Sequence, residues 1–164
     1  MAAIVRAMDD STLIEYSEFT IIDDGGSDDP EAEPFAESWE ERDIAAEWLA
    51  AADNLLMINS AFDRHRVRVR FELWDGEPEK ESQLSNIDAL TTSFYSSTGA
   101  IFIDEMIGYV EHDPFKLGPP GERWHVRAYR KALVPRGYFP EHTEEELEAY
   151  IFRFWPLNSE TAEG

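Results

Sequence analysis

The sequence predicts a mainly β protein: an antiparallel β-sandwich of about seven strands with one inserted α-helix and one short helix. Two observations predict this fold class. Hydrophobic and polar residues alternate with a period of two along several segments, most clearly over residues 64–74. Clusters of Gly, Pro, Asp and Ser separate such segments, as at residues 75–78, 96–99 and 118–121. A closed barrel is the structural alternative.

The strand over residues 64–74 is predicted by an unusually long alternation. Its odd-numbered positions from 65 to 73 carry His65 and four hydrophobic residues, and its even-numbered positions from 64 to 72 carry four arginines and a glutamate. This pattern is typical of a strand with one buried face. Shorter patterns of the same kind predict strands over residues 13–23, 55–61, 89–96, 100–110, 124–132 and 149–155.

Two capping patterns predict the helices. Ser38 and Glu41 fit a Ser-x-x-Glu capping box, and hydrophobic residues recur at helical spacing after it, which predicts a helix over about residues 39–51. Thr143 and Glu146 fit the same pattern and predict a short helix over about residues 143–148.

The predicted organisation is one domain with a tail. Pro156 ends the last predicted strand, so residues 1–156 are expected to form a single acidic β-sandwich domain. Residues 157–164 are expected to form a flexible C-terminal tail.

The composition is strongly acidic. The chain has 14 Lys and Arg against 35 Asp and Glu, a formal net charge of −21, and no cysteine. Because nucleic acids and anionic membranes bind clustered Lys and Arg, neither is an expected partner. The first residues lack the hydrophobic region of a signal peptide, and no segment approaches the length of a transmembrane helix. The expected location is therefore the cytoplasm.

The sequence contains no motif of known catalytic chemistry. It lacks a Gly-x-Ser-x-Gly nucleophile elbow, a Ser-x-x-Lys pair and the Gly-rich loops that bind phosphate. The four histidines do not stand at the spacings by which one element presents two metal ligands, and His65 is interpreted as a half-buried strand residue. No catalytic residue, metal site or cofactor is predicted, and the chain is interpreted as non-enzymatic. An enzyme without a recognisable motif is the alternative.

Acidic residues are most concentrated over residues 23–47, which contain 11 Asp and Glu and only Arg42 as a base. Aromatic residues lie among them. Such a surface suits capture of a basic protein, because complementary charge speeds encounter and aromatic side chains anchor the complex. The predicted partner-binding residues are Asp23, Asp24, Asp28, Asp29, Phe35, Glu37, Trp39, Glu40 and Glu41.

Other interpretations of the acidic segment stay open. A charged segment of this kind is often only a solvated surface. The four aspartates of the Gly-containing residues 23–29 supply the oxygen ligands that calcium prefers, so a Ca²⁺-binding or small-ligand-binding β-sandwich is an alternative. Their spacing does not match the EF-hand loop. A structural component of a larger assembly is a further alternative.

The arginines at alternate positions from 64 to 70 are the main basic feature. On one face of a strand they could bind phosphate or a carboxylate-rich ligand. Because the chain is so acidic, we expect them instead to pair with the protein's own carboxylates, on neighbouring strands or in the acidic segment. If the strand lay at a sheet edge, the charge of these arginines would also oppose its pairing with a strand of another chain.

Short segments spread over residues 13–155 resemble the competence-J family of small bacterial proteins, which inhibit a DNA-entry nuclease. The matching segments are residues 15–20 (Glu-Tyr-Ser-Glu-Phe-Thr), 50–53, 67–73, 90–94 (Leu-Thr-Thr-Ser-Phe), 99–101, 121–124 (Gly-Glu-Arg-Trp) and 150–152. The chain is also similar to uncharacterised acidic bacterial β-sandwich proteins. The first resemblance implies a non-enzymatic protein that binds and restrains a nuclease. A related interpretation is an immunity protein whose partner is a toxin. It assigns no inhibitory residue.

Overall fold

The computed structural model describes residues 1–33, 47–80, 87–104, 111–135, 137–138 and 142–157. Within these ranges the chain is mainly β, as predicted, and forms ten strands rather than about seven, with a 3₁₀ turn at Asp24–Asp28. The strands are β1 (Ile4–Ile14), β2 (Glu18–Ile22), β3 (Leu49–Ala52), β4 (Leu55–Asn59), β5 (Arg64–Trp74), β6 (Ile87–Ser96), β7 (Ala100–Asp104), β8 (Phe115–Lys116), β9 (Glu122–Ala132) and β10 (His142–Pro156).

The strands form two sheets of five. Sheet I has the order β1-β5-β10-β9-β6, and sheet II has the order β3-β4-β2-β7-β8. Seven of the eight strand pairs in the described ranges are antiparallel, in agreement with the prediction. The exception is the pairing of β10 with β5, which is parallel and places β10 in the centre of sheet I.

A hydrophobic core lies between the two sheets. Phe71 on β5 stacks on Phe152 of β10, with 5.9 Å between ring centroids, and on Phe115 of sheet II, with 5.5 Å between centroids. Full burial of a side chain of this size contributes about 1.5–3 kcal/mol. The alternation along β5 turns the odd-numbered residues inward as predicted, and Val67 and Val69 have no exposed surface.

Two of the arginines of β5, Arg68 and Arg70, pair with carboxylates. Arg68 Nη2 lies 2.6 Å from Glu146 Oε2 on β10, and Arg70 lies 3.2 Å from Asp9 on β1 and 2.8 Å from Glu72 on its own strand. The expected pairing with the protein's own carboxylates is thus confirmed for Arg68 and Arg70. The edge-strand interpretation is wrong, because β5 lies between β1 and β10.

Both predicted helices require correction. Residues 39–46 of the first lie outside the described residues, but its last three residues belong to β3, where hydrogen bonding to β4 outweighs the local helical pattern. The short helix over residues 143–148 is wrong, since these residues lie in β10, paired with β5 and β9. Thr143 Oγ1 accepts a hydrogen bond from Glu145 N at 3.0 Å without starting a helix.

No helix long and apolar enough to cross a membrane is found in the part of the chain that the structure describes. The predicted C-terminal tail falls, from residue 158 onward, outside the described residues, and so do residues 105–110 of the strand predicted over residues 100–110.

The connections between strands gather at two ends of the sandwich. At one end, here called the acidic end, lie residues 23–33, the β3–β4 turn at residues 53–54 and the β6–β7 turn at residues 97–99. At the other, here called the Tyr16 end, lie the β1–β2 turn and the β4–β5 connection at residues 60–63.

Candidate functional site

The acidic end is built around the buried carboxylate of Asp23, which follows β2 and has no exposed surface. Its Oδ1 accepts hydrogen bonds from Gly25 N at 2.9 Å and Thr98 Oγ1 at 2.9 Å. Its Oδ2 accepts from Ser96 Oγ at 2.6 Å and Thr98 N at 2.7 Å. Four donors therefore satisfy the buried charge and tie the start of the acidic segment to the β6–β7 turn.

Asn54 joins the β3–β4 turn to Asp23 and to the β6–β7 turn. It is buried and has a φ of 63°, a left-handed conformation that asparagine tolerates better than most residues. Its side chain accepts a hydrogen bond from Ser97 N at 2.7 Å and donates to Ser97 Oγ at 2.9 Å. Its carbonyl accepts from Asp23 N at 3.0 Å. The three connections at this end are thus cross-linked by a single polar network.

Asp29 is the second acidic residue fixed by this network. Its carboxylate accepts hydrogen bonds from Ser97 Oγ at 2.7 Å, Glu31 N at 2.9 Å and Tyr95 Oη at 2.8 Å. The hydrogen bond from Ser97 is the main cause that holds the pKa of Asp29 below its usual value, and the other two donors add to it. The hydrogen bond between Tyr95 and Asp29 in turn raises the pKa of Tyr95. Asp29 is therefore a charged, half-exposed group held in one orientation.

Three further carboxylates of the acidic end are exposed to solvent. Asp24, Asp28 and Glu31 are exposed, and Asp53 is half-exposed, with one of its oxygens 3.8 Å from Arg123 Nη2. A rigid surface with this excess of negative charge attracts cations or a basic macromolecule.

The calcium alternative gains no support from this geometry. Asp23 and Asp29 already use their oxygens for protein donors. No group of three or more His, Asp or Glu that could hold a metal ion occurs among the residues that are described.

The structure therefore places the predicted partner-binding residues in three groups. Asp23 is a buried anchor and offers no surface to a partner, because its carboxylate points into the protein. Asp24 and Asp28 are exposed and Asp29 is half-exposed at the acidic end. The other predicted residues, Phe35, Glu37, Trp39, Glu40 and Glu41, lie outside the described residues.

A second polar cluster lies at the Tyr16 end and was not predicted. His65 Nε2 lies 2.7 Å from Ser60 Oγ, which also donates a hydrogen bond to Glu148 Oε1. Tyr150 Oη donates to the same carboxylate oxygen at 2.9 Å. His65 Nδ1 lies 3.1 Å from the carbonyl oxygen of Arg66. Rather than half-buried, as predicted, His65 has no exposed surface.

This cluster does not have the order of a catalytic triad. In a triad the carboxylate contacts the histidine nitrogen remote from the serine, whereas here Glu148 contacts the serine and a backbone carbonyl occupies that place. Burial lowers the pKa of His65, against the attraction of Glu148, and raises the pKa of Tyr150 well above its usual value. The arrangement closes one end of the core. In the sequence, this polar cluster was indicated only by the presence of a histidine, His65, on the hydrophobic face of the β5 pattern.

Comparison with known proteins shows the fold. No protein-family model matches the chain, and no curated protein matches its sequence. Among solved structures it is similar to ComJ from Bacillus subtilis, an inhibitor of the DNA-degrading activity of NucA, with a TM-score of 0.57 and 14% identity over 96% of this chain and 99% of ComJ. The chain has a ComJ-like fold. The resemblance to the competence-J family is thereby confirmed for the fold.

A second solved structure has a similar fold. It is the product of crocagin biosynthetic gene J, with a TM-score of 0.55 and 14% identity over 93% of this chain and 97% of that chain. Both similarities extend over nearly the whole of each chain, so they concern the complete arrangement of the two sheets rather than a shared hairpin.

Proposed function

We propose that this chain is a non-enzymatic binding protein that occludes a basic partner, in the manner of a nuclease inhibitor or an immunity protein. The proposed partner is a nuclease or a toxin, and the proposed location is the cytoplasm. The observation that carries the proposal is the likeness to ComJ, a nuclease inhibitor, over almost the full length of both chains.

The charge of the chain supports a basic partner. The net charge is −21, and exposed carboxylates of the acidic end, including Asp24, Asp28 and Glu31, lie close together in the sequence and on one end of the sandwich. Nucleases bind phosphate with clustered Lys and Arg, so an anionic surface both attracts them and competes for the same site.

The rigidity of the acidic end supports binding by a preformed surface. Asp29 is held by three donors, and Asp23 and Asn54 join the three connections at this end to one another. A surface that is already ordered loses less conformational entropy when a partner binds. We propose that Phe35, Glu37, Trp39, Glu40 and Glu41, which follow this end in the sequence, extend the contact with aromatic and acidic side chains.

Affinity capture from a lysate of the source organism at low salt, followed by a DNA-degradation assay, tests the proposal. We expect one basic protein to be retained at a fixed ratio, to be released by salt, and to lose its nuclease or toxic activity when the wild-type chain is added back. Retention of no basic protein, or of one that stays active in the complex, contradicts the proposal.

A charge-neutralised variant tests the role of the acidic end. Asp24→Asn, Asp28→Asn and Glu31→Gln together are expected to slow association about tenfold at low salt, because electrostatic steering is reduced. The matched control removes the same three charges elsewhere, at the exposed residues Glu79, Glu111 and Asp113. Stopped-flow association rates that fall equally for both variants would show that only net charge matters.

A further inference from the structure

We propose that Tyr16 is an anchor residue of the surface that holds the basic partner. This inference rests on the proposed function and adds to it a specific contact outside the acidic segment. Tyr16 lies at the tip of the β1–β2 turn, and its side chain is 82% exposed. It is the most exposed aromatic side chain in the part of the chain that the structure describes.

The backbone at Tyr16 has a conformation that tyrosine rarely adopts. Tyr16 and Ser17 have φ angles of 58° and 61°, so the turn has the two left-handed residues of a type I′ hairpin. Asn-Gly is the preferred pair at these positions, because a bulky side chain is strained there. Tyrosine at the first position therefore opposes the local stability of the turn.

The turn cannot relax this strain by moving away. Ser17 N donates a hydrogen bond to Asp63 O at 2.8 Å, and Ser17 O accepts one from Ser60 N at 2.7 Å. Both backbone polar groups of Ser17 are thus hydrogen-bonded to the β4–β5 connection, which fixes the position of the hairpin. Tyr16 is held away from the sandwich on a rigid support.

No hydrogen bond or ring contact of the Tyr16 side chain with the described residues offsets this backbone strain. The described residues show no hydrogen bond and no ring contact for its phenol group, in contrast to Tyr138, whose hydroxyl donates to Glu145 at 3.1 Å. A residue that strains the fold and gains neither a hydrogen bond nor a ring contact from the described residues is explained by a contact with another molecule. A rigid tyrosine is among the residue types that contribute most to binding at interfaces.

The surroundings of Tyr16 indicate the chemistry of that contact. Glu15 and Glu18 bracket the turn and are only half-buried, and Asp63 beside it is exposed. An aromatic ring among carboxylates suits a Lys or Arg side chain, which can stack on the ring while its charge is neutralised. This is the side-chain chemistry that a basic partner supplies.

One partner can reach both Tyr16 and the acidic end. The two are separated by the short strand β2, so that seven residues at about 3.3 Å each place Tyr16 roughly 20 Å from Asp23. An ordinary protein interface covers about 800 Å² on each partner, a patch wide enough to span that distance.

The test separates binding from folding. Tyr16→Asn removes the ring but places a residue preferred in a type I′ turn, so the melting temperature should stay equal or rise. We expect the affinity for the basic protein captured by the wild-type chain, identified and purified, to fall at least tenfold in calorimetry. Tyr16→Phe keeps the ring and should bind within about threefold of wild type, as should the control Tyr138→Asn, which alters another exposed tyrosine.

The outcomes are distinct. If the wild-type chain captures no basic protein, the proposed function fails and this inference fails with it. If the wild-type chain binds such a protein and Tyr16→Asn binds it equally well, the proposed function stands and the role of Tyr16 is overturned. A fall in melting temperature with Tyr16→Asn would show that the tyrosine stabilises the fold, which also overturns the inference.

Discussion

Replacing Asp23 with asparagine is expected to weaken the attachment of the acidic segment to the sandwich. The substitution keeps the size and shape of the side chain but converts one acceptor oxygen into an NH₂ donor. Asp23 has no exposed surface, so water cannot compensate freely for a lost acceptor.

The geometry gives the size of the effect. Each carboxylate oxygen accepts one hydrogen bond from a hydroxyl, of Thr98 or Ser96, and one from a backbone N–H, of Gly25 or Thr98. A hydroxyl can rotate to accept a hydrogen bond from the new NH₂ group, but a backbone N–H cannot. One N–H therefore loses its acceptor, which costs about 2 kcal/mol. In a chain of this length that corresponds to a fall in melting temperature of about 4–8 °C.

Urea denaturation followed by tryptophan fluorescence measures the free energy of unfolding of wild type and Asp23→Asn. Asp24→Asn is the matched control, since it makes the same change at the next residue on an exposed side chain, and it should stay within about 0.5 kcal/mol of wild type. An Asp23→Asn variant as stable as the control would refute the assignment of Asp23 as the anchor of the acidic end.

Two further predictions concern His65 and a glycine. Burial holds the pKa of His65 below its ordinary value of 6.5, so its stabilising contribution is present above pH 6.5 and is lost as the pH falls through the lowered value of the folded state. Between pH 8 and pH 5, urea denaturation should show a larger loss of stability for wild type than for His65→Gln; equal losses contradict this. Gly99→Ala should cost about 3 kcal/mol, because φ is +82° and the new Cβ would collide with a backbone carbonyl. Gly137→Ala, also at positive φ but in open space, should cost only about 1 kcal/mol by the same measurement.

The fold was predictable where the pattern is local. The strand over residues 64–74 has the predicted bounds, because a two-residue period over 11 residues fixes both the element and its buried face. The helix over residues 143–148 was predicted wrongly because a capping pattern reports only local hydrogen bonds. Residues of β10 instead satisfy their backbone groups on two neighbouring strands, one of them about 80 residues earlier in the chain.

The site was predictable in its charge but not in its geometry. Composition alone marked residues 23–29 as acidic, and Asp24 and Asp28 are indeed exposed. Which aspartate turns inward depends on hydroxyl and N–H donors of the β6–β7 turn, more than 70 residues away. The exposure of Tyr16 and its positive φ likewise depend on hydrogen bonds to the β4–β5 connection, which no local pattern shows.

The central position of β10 has a consequence for synthesis. β1 pairs with β5 early in the chain and β6 pairs with β9 later, and among the described strands of sheet I it is β10 that joins the two pairs. Until residues 142–156 have left the ribosome, both strand pairs, which include Phe71 and Val126, lack their central neighbour. Sheet I is therefore completed only when β10 has been synthesised, and until then the nascent chain exposes the hydrophobic faces of both strand pairs to chaperones.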